Sequence, residues 1–112
     1  MSDRVLDVYG VTLHLATTKA EWRRLRAQHA PLEALGQVEG LTAFWGDGQG
    51  SHVAFYVDRR LDSGRMLEVV AHEACHGAGM ILDHHNTPYD GQTEALALLV
   101  GWLTRWLWES TP

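Results

Sequence analysis

Two histidines four residues apart with a glutamate between them, His72-Glu73-Ala74-Cys75-His76, are the residues of this chain whose types and spacing can do chemistry. On a helix the two histidines are separated by about 400° of rotation, so they stand about 40° from vertical register and roughly 6 Å apart along the axis. Both imidazoles then reach one metal ion. Glu73 is turned about 100° from His72, too far to ligate easily but near enough to hydrogen-bond a water on that ion, the position of a general base. The competing reading is two exposed histidines on an ordinary helix. Context favours metal, because the pattern follows the β-branched pair Val69-Val70, lies in a long helical stretch and has acidic and imidazole side chains downstream.

Structural zinc is usually closed by four protein ligands, whereas catalytic zinc keeps three and an open position. One further ligand is therefore required, and Glu94, Asp83, His84, His85 and Asp90 are the candidates. Cys75 lies about 100° round the helix from His76 on the side away from Glu73. It reads as a small buried thiol and not as a ligand.

The elements that must position these residues follow from periodicity and turn chemistry. Residues Val5 to Val8 and Val11 to Leu15 are short β-prone runs separated by Tyr9-Gly10, a strand pair or one bent strand. Thr18-Lys19-Ala20-Glu21 has the form of a capping box and opens a helix to about Gln28 with Trp22 and Leu25 inward, ending before Pro31. His14 and His29 read as a polar-face strand residue and a helix-end residue. Leu41 to Trp45 and His52 to Asp58 are strands joined by the loop Gly46-Asp47-Gly48-Gln49-Gly50. Val53, Phe55 and Val57 face the core, with His52, Ala54 and Tyr56 opposite. The glycine loop lacks a following Lys-Ser/Thr, which removes a phosphate-binding reading.

Asp62 or Ser63 caps the motif helix, expected from about Gly64 to Leu82 with Leu67, Val70, Ala71, Ala74, Ala78 and Ile81 as its apolar stripe. Glu68, His72, His76, Gly79 and Asp83 form the adjacent polar stripe. Residues His84 to Tyr89 break this helix, and Asp90 caps a last one from about Gly91 to Glu109. Trp102, Trp106 and Trp108 on it read as core or contact surface.

At 112 residues the chain is expected to be one domain spanning 1–112, with no room for a second lobe, so any active site is shallow or completed by a partner. The net charge of −5 argues against nucleic-acid binding through phosphates. A single cysteine excludes an internal disulfide. The N-terminal residues lack a signal pattern, no stretch approaches about 18 uninterrupted apolar residues, and Arg105 breaks the last helix. No membrane association and a cytoplasmic location are the expectation.

The motif resembles that of the zincin metallopeptidases, and most nearly the gluzincins, in which HExxH is followed one connection later by a helix bearing a glutamate ligand. The corresponding segment is Glu94-Ala95-Leu96-Ala97, with 17 residues intervening after His76. The resemblance implies Zn2+ held by His72, His76 and Glu94, with Glu73 as catalytic base. The metzincin pattern matches only as far as Gly79, since Leu82 occupies its last ligand position. The chain is also similar to small zincin-like proteins of tailed bacteriophages and prophages, through Tyr56 to Arg60, His72 to His76, Ile81 to Asp83 and Glu94, which together span roughly the last sixty residues. Two departures stand out. Leu98 occupies a position where an aspartate often orients a ligating histidine, leaving Glu68 to do so. No histidine or tyrosine follows Glu94 to stabilise an oxyanion, leaving Tyr56, Tyr89, His84 and His85 as possible substrate or oxyanion contacts.

These readings converge on an α+β, minimal zincin-like fold. Its small, mostly antiparallel sheet packs on an N-terminal helix, and the HExxH helix and C-terminal helix form the metal site. The function they imply is a zinc-dependent hydrolase, a metallopeptidase whose protein or peptide substrate lies along a strand edge near His52 to Val57. The alternatives are a catalytically idle zinc-binding protein of the same fold, serving as a phage structural or host-interaction module, and a metal-free interaction domain. The Trp-rich last helix is the candidate oligomer contact.

Overall fold

The computed structural model describes residues 2–6, 9–85 and 94–112. Seven elements follow one another: β1 (Ser2–Leu6), β2 (Val11–Ala16), α1 (Lys19–Gln28), β3 (Gly40–Asp47), β4 (Gly50–Val57), α2 (Ser63–His84) and α3 (Glu94–Ser110). The strands form one mixed sheet in the order β1-β2-β4-β3. Two pairings are antiparallel, β1 with β2 and β3 with β4, and β2 runs parallel to β4. The fold is α+β with a mostly antiparallel sheet, as the sequence indicated.

The β3–β4 hairpin is tighter than expected. Its strands pair out to Asp47 opposite Gly50, so only Gly48 and Gln49 remain at the tip. Gly50 has φ of 117°, a conformation closed to most side chains, and Asp47 Oδ1 accepts the Gln49 N–H at 2.7 Å. Because β4 lies between β2 and β3, both of its backbone edges are paired. The edge strands are β1 and β3, and β3 is the one beside α2, which corrects the expected strand edge at His52 to Val57. The physical reason is the parallel pairing of β4 with β2, which nothing local in either strand encodes.

Alternation along β4 feeds two cores. Val53, Phe55 and Val57 pack with Val11, Leu13 and Leu15 of β2 against α2 and α3. Ala54 and Tyr56 pack on the opposite face against Trp22 and Leu25 of α1 and against Leu32. The start of α1 is built as expected, with Thr18 Oγ1 accepting the Glu21 N–H at 3.1 Å. The returning arm differs, since the Glu21 carboxylate accepts from the backbone N–H of Thr17 at 2.8 Å, one residue beyond the cap. After α1 the chain is tied back by bonds from Trp22 Nε1 to Glu33 O and from Arg26 Nε to Leu32 O.

Asp62 caps α2 by accepting the Arg65 N–H at 2.9 Å. The buried face of this helix is rotated from the expected stripe. Met66, Val69, Val70, Glu73, Ala74, Gly77, Ala78, Ile81 and Leu82 are inside, whereas Leu67 is 52% exposed and Ala71 and Cys75 face outward. The rotation arises because α2 is wedged between the sheet and α3, and β3 draws Val69 and Glu73 inward. Cys75 is therefore exposed, not the buried thiol expected.

Contact between α2 and the sheet is closest at Gly77. A Cβ there would lie 2.5 and 2.7 Å from ring carbons of Phe55 and 3.6 Å from Leu103. Alanine gains up to about 1 kcal/mol of helix propensity over glycine, but overpacking a core costs about 1–3 kcal/mol. Phe55 is fully buried in the core, so its ring can yield only by displacing packed neighbours. Gly77→Ala is therefore expected to lower stability by on the order of 1–2 kcal/mol, read as a reduced urea midpoint at unchanged slope. A midpoint equal to or above that of the parent would show that the ring relocates freely.

Helix α3 runs antiparallel to α2. Leu103 adjoins Gly77, while Trp108 and Thr111 near its C-terminus share a cleft with Ser63 and Met66 near the start of α2. Among the described residues no helix is long and apolar enough to cross a membrane.

Candidate functional site

Helix α2 brings His72 and His76 together on its solvent side. Their Nε2 atoms are 3.1 Å apart and their rings meet at 79°. Two nitrogens each about 2.0–2.1 Å from one tetrahedral zinc ion are separated by about 3.3 Å. The pair thus stands within a few tenths of an ångström of ligand spacing, and both residues are exposed.

Glu73 points the other way, toward the sheet, and is only 6% exposed. Thr42 of β3 donates its hydroxyl to Glu73 Oε1 at 2.7 Å, with the Glu73 carbonyl oxygen 3.3 Å from the same hydroxyl. Gly40 permits this approach. A Cβ on it would lie 2.6 Å from Val69 Cγ1 and 3.0 Å from Glu73 Oε2. A carboxylate at this depth held by one hydroxyl is expensive in solvation and gains little in return, so stability does not explain it.

His72 and Glu73 line one cleft of ≈ 390 Å³ together with Val38, Glu39, Gly40, Arg65, Glu68 and Val69. The start of edge strand β3, one histidine and the buried carboxylate therefore share a wall. Arg65 lies in the same cleft and bonds Glu39 Oε1 at 2.7 Å and Glu68 Oε2 at 2.8 Å. Those hydrogen bonds, Glu39's first, hold its guanidinium more firmly protonated than usual. Glu68 is thus engaged by Arg65 on the surface.

The remaining sequence candidates do not converge on this cleft. Tyr56 is 1% exposed and sits with Trp22 and Leu25 on the opposite face of the sheet, where burial first and Asp58 second push its hydroxyl pKa up. His84 shares a hydrogen bond of 3.0 Å with Ser51 and packs near Phe44, and it lies eight residues, about 12 Å of helix, beyond His76. His85 is the C-cap of α2, with its ring against the backbone oxygen of Tyr9. Tyr89 and Asp90 lie outside the described residues.

Glu94 opens α3 with an exposed side chain. With Leu103 abutting Gly77, Glu94 is nine residues, about 13 Å of helix, from that contact, toward the His84 end. A place for its carboxylate at the histidine pair would have to span that offset. Among the described residues no three His, Cys, Asp or Glu side chains close around one point.

Thr42 and Gly40 went unread in the sequence. Their signal was weak, a glycine opening a strand and a threonine two residues later, and it acquires meaning only once β3 is known to lie against α2. No family model, curated protein or solved structure matches this chain.

Proposed function

We propose that this chain is a zinc-dependent hydrolase of the zincin kind, acting on an extended peptide laid against β3. The observation that carries the reading is the Nε2 pair of His72 and His76 at 3.1 Å, with His72 lining the same cleft as the buried Glu73. His72 and His76 would hold the ion, whose bound form supplies a Lewis acid for polarising a carbonyl and activating water near neutral pH. The chain's own residues supply the rest. Edge strand β3 offers unpaired backbone N–H and C=O groups to an extended segment. Thr42 fixes the rotamer of Glu73 through Oε1, leaving Oε2 toward Gly40 to take a proton from the attacking water and pass it to the leaving amine.

Metal content tests the first half of this reading. Protein purified without chelator is expected to carry about one zinc ion at this pair. At free zinc a hundredfold above Kd, bound metal adds about 2.7 kcal/mol to folding, so chelation should lower Tm by on the order of 10 °C. Metal-free protein whose melting ignores chelator would refute it.

One observation favours a second reading, a zinc-binding module without turnover serving a phage structure or a host contact. The described cleft contains neither a third protein ligand nor a tyrosine or histidine facing the reacting centre. Cleavage of a broad peptide library by the parent protein separates the two.

A further inference from the structure

Across the sheet from α2, three histidines distant in sequence meet. His14 of β2 and His52 of β4 are each 6% exposed, and His29, the C-cap of α1, is half-buried beside them. Ring centroids are 5.1 Å apart for His14 and His29, 5.3 Å for His14 and His52, and 5.2 Å for His29 and His52. Three imidazoles bound to one ion at about 2.0–2.1 Å have centroids separated by about 5 Å. Trp45, 7% exposed, stacks on His52 at 4.9 Å and 9° and walls the group from water.

Counting protons shows what the cluster lacks. His14 Nδ1 is 3.1 Å from Asp3 Oδ1, His14 Nε2 is 3.0 Å from His52 Nδ1, and His52 Nε2 is 3.1 Å from Asp47 Oδ2. Three gaps thus separate four groups in a row, the one at Asp47 an ion-pair distance at which the buried His52 Nε2 makes no hydrogen bond, yet two neutral imidazoles carry only two N–H protons. If each carboxylate receives one, His14 Nε2 and His52 Nδ1 face each other as two lone pairs and require a cation between them. If the middle gap takes one instead, a ring lone pair is turned on a carboxylate. A proton would fill the middle gap with two acceptors and has no use for a third ring. A metal ion uses all three, and carboxylates on the outer nitrogens are the usual partners of metal-binding histidines.

We propose that His14, His29 and His52 form a second metal site, for a borderline transition-metal dication of the Zn2+, Ni2+ or Cu2+ class, with Asp3 and Asp47 orienting two of the rings. As placed, the three side chains do not close around one point; the site requires the His29 side chain, which makes no hydrogen bond among the described residues, to rotate so that a ring nitrogen faces His14 Nε2 and His52 Nδ1. The site lies on the opposite face of the sheet from His72 and His76 and is independent of the proposed hydrolase.

The test uses the full chain carrying His72→Ala and His76→Ala, both exposed positions, titrated with Zn2+ in competition with a chromogenic chelator. One equivalent is expected to bind. Adding His29→Ala should weaken it more than tenfold, and adding Asp3→Asn, at a side chain 61% exposed where folding is not at stake, by about 10–100-fold. No uptake by the double variant, or uptake that His29→Ala leaves unaltered, overturns the proposal. Failure of the hydrolase reading appears separately, as a parent protein that binds no more zinc than the double variant.

Discussion

Glu73→Gln is expected to leave the fold and the zinc content intact and to reduce peptide hydrolysis by about 10²–10⁴-fold, the range a positioned general base contributes. The amide is nearly isosteric, and its carbonyl oxygen can still accept the Thr42 hydroxyl that now bonds Oε1. Neither of its groups can take up a proton at neutral pH. Because the carboxylate is 6% exposed, replacing it with a neutral group removes a desolvation cost, so Tm should stay level or rise. A purely structural role would give the opposite pattern, lower Tm with turnover retained. A variant that hydrolyses as fast as the parent refutes the assignment of Glu73, and a parent that cleaves nothing supports the idle zinc-binding module.

Single substitutions His72→Ala and His76→Ala should each weaken zinc binding at this site by about 10²–10³-fold. Four-ligand zinc sites are worth about 10–16 kcal/mol, so one ligand accounts for about 2.5–4 kcal/mol. Glu94→Ala provides the contrast. The resemblance to gluzincins implies a loss as large as that of a histidine, whereas the packing of Leu103 on Gly77 holds Glu94 about 13 Å along α3 from the contact and implies a change of no more than about twofold. Competitive zinc titration of the three variants reads both outcomes. A large loss at Glu94 would mean that α3 slides by about two turns along α2 when metal binds.

Much of the secondary structure was legible because its signals are local. Thr18 before Lys19 and Asp62 before Ser63 announce helix starts through side chains that reach backbone N–H groups three residues ahead. Alternation placed Val53, Phe55 and Val57 on one face, and Trp22 and Leu25 were assigned inward correctly. The histidine pair was legible for the same reason, since spacing on a single helix dictates that two imidazoles meet. Where the inward face of α2 falls was less legible. Leu67 and Cys75 suit the inside by type, but a helix squeezed between a sheet and a second helix is rotated by its largest contacts, here Phe55 at Gly77 and Thr42 at Glu73.

The sequence by itself determined the seven elements in outline and the local geometry of His72, Glu73 and His76, because 3.6-residue and two-residue periods and capping residues act between near neighbours along the chain. Only the tertiary structure decided which strands lie at the sheet edges, what holds Glu73, which part of α3 meets Gly77, and that His14, His29 and His52 lie together. Each of those depends on the parallel pairing of β2 with β4 or on the packing of α3 along α2. Such contacts join residues tens of positions apart and are selected by competition for burial over the whole chain, which no local pattern records.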